Sequence, residues 1–258
     1  MNYGMIVLLG LIAGVTILLG LPIGRVRSAS PTARLLLSAM AVGVLLFLVW
    51  DVLAHAWEPI DAALAEGHDA ATVALDGCIF IVGLGVGLVG LAFAERRLRI
   101  SRGGADLAPH HLAILIAAGI GVHNFAEGLA IGQSAASGAL DLAVVLVVGF
   151  ALHNATEGFG IVAPLAGEQN RPSWAFLLLL GLIGGGPTVV GAALGAVVVS
   201  DVLSILFLTL AAGSIVYVVV QIVGSMASSR RPEVIAVGGF VGLVAGFATD
   251  ALLTAAGA

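Results

Sequence analysis

The chain is 258 residues long, 60% hydrophobic and 10% charged, with a net charge of −5 and a mean hydropathy of +1.16. A soluble domain carries about 25% charged residues, so this composition excludes a fold whose surface faces water and makes lipid the fitting solvent. The lone Cys78 leaves no intramolecular disulfide and no cysteine-based zinc cluster, and the ten basic residues, all Arg, form no basic stripe for a nucleic acid.

About 20 apolar residues, rising 1.5 Å each, cross the roughly 30 Å of bilayer hydrocarbon. Eight such stretches are read near 3–24, 33–57, 72–94, 110–134, 140–164, 173–199, 202–228 and 234–256. The expected fold class is an all-α membrane protein, a single transmembrane domain over residues 1–258. The first stretch precedes Ser28-Ala29-Ser30, whose small residues suit signal cleavage. It lacks a positive leader, its apolar run is long and its arginines follow that run, so a retained first helix is expected.

Helix two carries Asp51 and His55, four apart near its outer end, with Glu58 close by. They read either as a relay that passes cations inward or as a solvated helix end, and both readings stay open. In the next loop, His68 with Glu66 and Asp69 reads as a solvated turn rather than a cation trap. Helix three contains Gly83-x-Gly85-x-Gly87-x-x-Gly90 and helix six Gly184-Gly185-Gly186; in lipid such glycines let helix backbones approach closely. Pro187 in helix six removes a backbone hydrogen bond and can kink it. His110 and His111 open helix four.

The arginines orient the bundle. Arg25, Arg27 and Arg34 fall between helices one and two, and Arg96, Arg97, Arg99 and Arg102 between three and four. Arg171 falls between five and six, and Arg230 and Arg231 between seven and eight. The opposite loops hold no Arg but contain Asp61, Glu66, Asp69 and Asp141. The positive-inside rule then puts the Arg-rich loops in the cytoplasm and both termini outside the cell membrane.

Helices four and five carry the chemistry. His123-Asn124-Phe125-Ala126-Glu127-Gly128 lies midway along one, and His153-Asn154-Ala155-Thr156-Glu157-Gly158 midway along the next. Within each copy His and Glu are four apart, on one face and about 6 Å apart along the axis. Consecutive helices run oppositely, so His123 can lie level with Glu157 and Glu127 level with His153. A lone buried His or Asn is usually structural glue. Two Glu and two His at mid-membrane, duplicated with the same spacing, point instead to function. Imidazole with carboxylate suits zinc, iron or manganese, and two carboxylates cancel the charge of one dication.

HNFAEGLAIG resembles the fourth-helix signature of the ZIP metal transporters, usually H-N/S-x-x-E-G, and HNATEG resembles the fifth-helix signature. Helix count, outside termini and length agree, so the resemblance spans nearly the whole chain. It implies helices 1–3 and 6–8 as an inverted repeat around central helices 4–5, with the site near the midplane. It implies His123, Glu127, His153 and Glu157 as metal ligands, with Asn124 and Asn154 beside them. The implied substrate is a divalent metal ion, zinc first, with iron, manganese or cadmium as alternatives. No cofactor beyond that ion is expected, the partners are the ion and the bilayer, and a homodimer is left open.

Several family features are replaced. Ala126 and Thr156 stand where members often have a Pro before the Glu, and Asn154 replaces an acid found in some. Gly186 stands where many bacterial members have a Glu that helps hold a second metal. Gln221 and Ser225 in helix seven stand where acids are frequent. The four-ligand set is intact, and the expectation is one ion rather than two. Two other functions are weighed. An intramembrane metal hydrolase would use a Glu as base on metal-bound water, but there is no H-E-x-x-H motif, and four protein ligands close a zinc site. A proton-coupled carrier of an organic solute would need Arg or aromatic clusters within the helices, whereas every Arg falls outside them.

Overall fold

The computed structural model describes residues 2–25, 30–101, 109–138, 140–167, 171–198 and 200–255. Arg27, Arg102, Ser28 and Ala29, and the expected helix ends at 199 and 256, lie outside the described residues. The helices are α1 (Tyr3–Val15), α2 (Pro31–Ala65), α3 (Ala70–Ser101), α4 (Pro109–Ala136), α5 (Leu140–Val162), α6 (Trp174–Gly195), α7 (Asp201–Met226) and α8 (Pro232–Ala255). Among the described residues, eight helical spans are long and apolar enough to cross a membrane.

Local chemistry explains where the helices begin. Ser30, Ser173 and Ser200 accept hydrogen bonds from the backbone N–H of Ala33, Phe176 and Leu203, capping α2, α6 and α7. Asp69, expected to be a solvated turn residue, does the same for α3 through Thr72 N at 2.7 Å. That backbone donor holds its carboxyl below the usual carboxylate range.

Two helices outrun their expected limits. α2, read to 57, continues through Pro59 to Ala65 and is 35 residues in all, or about 52 Å. A proline costs one backbone bond, and at a helix end beyond the hydrocarbon that carbonyl can be hydrated. α3 carries Arg96, Arg97 and Arg99 on its last turns rather than in a loop. α1 departs in the other direction. After Val15 it tightens into two 3₁₀ segments, Thr16–Leu19 and Leu21–Arg25. The Ala13 carbonyl accepts from Thr16 N and from Thr16 Oγ1 at 2.6 Å, and Asn154 of α5 donates to it as well. These competing donors draw the carbonyl out of the regular α ladder.

The helices sort into two packed groups, α1 with α4, α5 and α6, and α2 with α3, α7 and α8, joined chiefly where α4 meets α7. α4 lies at the centre: 67% of its span is buried, against 11% for α3 and 17% for α8. Ile17, Ile116, Ile120, Ile161, Leu180 and Ile215 fill the space around it. Half of the glycine run in α3 serves packing. Side chains at Gly83 or Gly87 would strike Thr209 or the Leu210 carbonyl of α7, whereas Gly85 has nothing within 4 Å.

The ends bearing arginine gather together. Arg25 donates to the Pro172 carbonyl and lies 4.7 Å over the Trp174 ring, Arg231 donates to Thr32 Oγ1, and the His110 ring is 4.9 Å from Phe176.

Candidate metal site

α4 and α5 run antiparallel and present their motif residues to each other. His123 Nε2 lies 3.0 Å from Glu127 Oε1 on its own helix and 3.5 Å from Glu157 Oε1 on the other. His153 Nε2 is in contact with Glu127 Oε1. The cross-helix pairing expected from the spacing is therefore present in both directions. Ligand atoms of His123, Glu127 and His153 all lie within 4.8 Å of one another, and Glu157 joins through His123. Zinc bonds of about 2.0–2.1 Å in a tetrahedron put neighbouring ligand atoms roughly 3.3 Å apart. The 3.0 and 3.5 Å separations around His123 are of that size, while the trio as a whole is spread within 4.8 Å.

The site is largely buried, with His153 partly exposed. His123 is 1% exposed, Glu157 2% and Glu127 6%. Phe150 flanks His153, with ring centroids 5.4 Å apart. His123 Nδ1, Oε2 of Glu127 and Oε2 of Glu157 have no hydrogen-bond partner. Polar atoms left so are costly unless something binds them, and nitrogen with carboxylate oxygen is the donor set of a borderline divalent metal.

Asn124 and Asn154 are fully buried and tie their amide nitrogens to neighbouring helices, and the Asn124 side chain also meets Glu157. Asn124 Nδ2 donates to the Gly184 carbonyl of α6 at 3.0 Å, and Asn154 Nδ2 donates to the Ala13 carbonyl of α1 at 3.1 Å. Only the nitrogen can face a carbonyl, so each Oδ1 is directed elsewhere, and each lacks a hydrogen-bond donor. Neither backbone partner was visible in the motifs.

The residues of helix two divide. Asp51 is partly buried and within electrostatic range of His123, His153 and Asp250 of α8. His55 is exposed, with Nδ1 2.9 Å from the Asp51 carbonyl. Asp51 thus faces the bundle and His55 does not. Asp250, unnoticed in the sequence, completes an acidic pair at this mouth.

Gly186 requires a correction. Its place in the motif implied a residue aimed at a second metal, but a Cβ there would meet only Leu182 of its own helix, at 3.4 Å. At 100° per residue, Gly186 is turned about 160° from Thr188, which is fully buried between α1 and α4. Gly186 borders an apolar groove between α1 and α6 instead.

A third buried carboxylate was missed. Glu95 on α3 binds Arg99 of the next turn at 2.7 Å, and it accepts from Tyr217 OH at 2.9 Å and Gln221 Nε2 at 2.7 Å on α7. The signal was a Glu four residues before an Arg, set in a run of arginines that drew attention to topology. Gln221 therefore holds α3 to α7.

No curated protein matches the chain. Residues 90–254 match the sequence model of the family described as ZIP Zinc transporter, a region that begins within α3 and includes both hexapeptides. An eight-span helical membrane protein with a buried His/Glu cluster on two matched central helices, this chain belongs to the ZIP family of divalent metal transporters.

Proposed function

We propose that the chain carries one divalent metal ion at a time, zinc in preference to iron, manganese or cadmium, held by His123, Glu127, His153 and Glu157. The observation that carries this reading is the reciprocal pairing of His123 with Glu157 and Glu127 with His153 in a largely buried cluster. Two carboxylates balance one dication where desolvation is expensive. Two imidazoles favour zinc over harder ions. Asn124 and Asn154 stand beside the ion and offer one oxygen each. Asp51 passes cations inward from the outer mouth. Four protein ligands also leave no open position for the metal-bound water a hydrolase requires.

The inverted repeat is part of the proposal, and the pairing of helices supports it. Exchanging α1 with α6, α2 with α7, α3 with α8 and α4 with α5 turns the α2–α8 contact into the α7–α3 contact. It also turns the Asn124–Gly184 hydrogen bond into the Asn154–Ala13 bond. Both termini lie outside the cell membrane in this reading, with the arginine end in the cytoplasm.

X-ray absorption at the zinc edge of the purified protein loaded with one equivalent tests the ligand set. About four nitrogen or oxygen ligands near 2.0–2.1 Å, with outer-shell scattering from two imidazoles, is the expected spectrum. An oxygen-only octahedral shell would contradict it.

A further inference from the structure

We propose that Ser214 of α7 is a positioning residue for the metal site: its hydroxyl holds the Gly119 carbonyl of α4, the same carbonyl that accepts the backbone N–H of His123. This role rests on the ligand set proposed above.

The side chain sits where α7 meets α4. Ser214 is 1% exposed, and its Oγ lies 2.7 Å from the Gly119 carbonyl oxygen and 2.7 Å from the Ala211 carbonyl oxygen of its own helix. The one hydroxyl proton is shared between these two acceptors. The bond across to α4 is possible because residue 119 has no side chain. A Cβ there would meet Val218 of α7 at 3.0 Å and Leu91 of α3 at 3.4 Å. In an α-helix each carbonyl accepts from the N–H four residues on, and Gly119 and His123 both lie within α4. Gly119 therefore takes the N–H of His123, and the ligand's backbone and the Ser214 hydroxyl meet at one oxygen.

Ser214 is itself placed by α3. One turn before it, the Leu210 carbonyl packs against Gly87, where a Cβ would also meet Ser214 N at 3.0 Å. One turn after it, Tyr217 OH donates to Glu95 at 2.9 Å, and Gln221 Nε2 reaches the same carboxylate at 2.7 Å. α7 is thus tied to α3 on both sides of Ser214. A metal site needs its ligand atoms placed to within about 0.2 Å, and the imidazole of His123 takes its position from the turn fixed at Gly119. That imidazole carries the placement into the site, since its Nε2 faces both Glu127 Oε1 and Glu157 Oε1. A serine that only joined α7 to α4 would disturb all the ligands alike. One that positions His123 acts through His123.

A double-mutant cycle separates the two roles. Zinc affinity is measured by calorimetry on the purified protein, with and without Ser214→Ala, in the unmodified, His123→Ala and His153→Ala backgrounds. Ser214→Ala should weaken zinc binding about tenfold in the unmodified and His153→Ala proteins, at the low end of losses behind a metal ligand. In His123→Ala it should weaken binding less than about twofold. Unchanged affinity in Ser214→Ala, or an equal loss in all three backgrounds, would overturn the proposal. A second readout needs no metal. Val122–His123 is the one Val-His step in the chain and Leu152–His153 the one Leu-His step. Carbonyl-labelled Val or Leu combined with nitrogen-labelled His therefore singles out each His amide by NMR. Ser214→Ala should shift the His123 amide and leave that of His153 in place; an unmoved His123 amide, or equal shifts of both, would contradict the proposal. Ser214→Cys, of similar size but a weaker donor, takes the place of Ser214→Ala should that protein fail to fold. Unaltered affinity in His123→Ala, or no zinc binding by the unmodified protein, would refute the metal reading, while the His123 amide still decides whether Ser214 holds the turn.

Discussion

Glu127 links the two imidazoles, since its Oε1 meets both His123 and His153. Glu127→Gln keeps the shape but removes half of the negative charge facing a dication. Metal flux should fall to near background while the protein remains folded and inserted, as judged by expression and gel filtration. Glu157→Gln should act alike. His123→Ala and His153→Ala remove a softer donor and no charge, so they should weaken affinity and shift metal preference rather than abolish flux; unchanged affinity and preference in both would remove them from the ligand set. Charge also limits occupancy, because two dications would set four positive charges against two carboxylates. Calorimetric titration should give one tightly held ion per chain. Gly186→Glu should leave that number at one, since position 186 faces the α1–α6 groove and not the ligands. A second tight ion in Gly186→Glu would mean that α6 turns its other face inward.

At the scale of the helix, close backbone approach decides which glycines matter. Gly87 touches the Leu210 carbonyl of α7, whereas Gly85, two residues away, has open space. Gly87→Leu should destabilise the protein by about 1–3 kcal/mol or more through overpacking, and Gly85→Leu by about 0.5 kcal/mol or less. Thermal unfolding in detergent distinguishes them, and equal shifts would contradict the packing of α3 on α7. The same contrast shows what the sequence can convey. Hydrophobic runs of span length and an i, i+4 pair repeated on consecutive helices have fixed geometric consequences, so the spans and the pairing of His123 with Glu157 were legible. The partners of Asn124 and Asn154 are backbone carbonyls, which every residue possesses, so nothing marked Ala13 or Gly184. The tightening of α1 after Val15 follows from those hydrogen bonds and was hidden with them. Gly186 was misjudged because a motif position was carried over without its helical phase, and Thr188, two residues on, occupies the inward side.

For the molecule as a whole, the arginine contacts from Arg25 to Pro172 and from Arg231 to Thr32 tie separate loops into one polar end. With that end in the cytoplasm, His68→Cys in a Cys78→Ala background should react with an impermeant thiol reagent on intact cells, and Ile100→Cys should not. Both positions are exposed, at opposite ends of α3. The reverse pattern would invert the molecule, and labelling of both would break the topology. The central claim is that the ion crosses the membrane through the buried pairing of α4 with α5. Its most direct test is zinc uptake into liposomes containing equal amounts of the unmodified protein, Glu127→Gln or Glu157→Gln, with iron, manganese and cadmium run in parallel. The account predicts uptake by the unmodified protein, fastest for zinc, and rates near those of empty liposomes for both variants; uptake by both variants at the unmodified rate would contradict it.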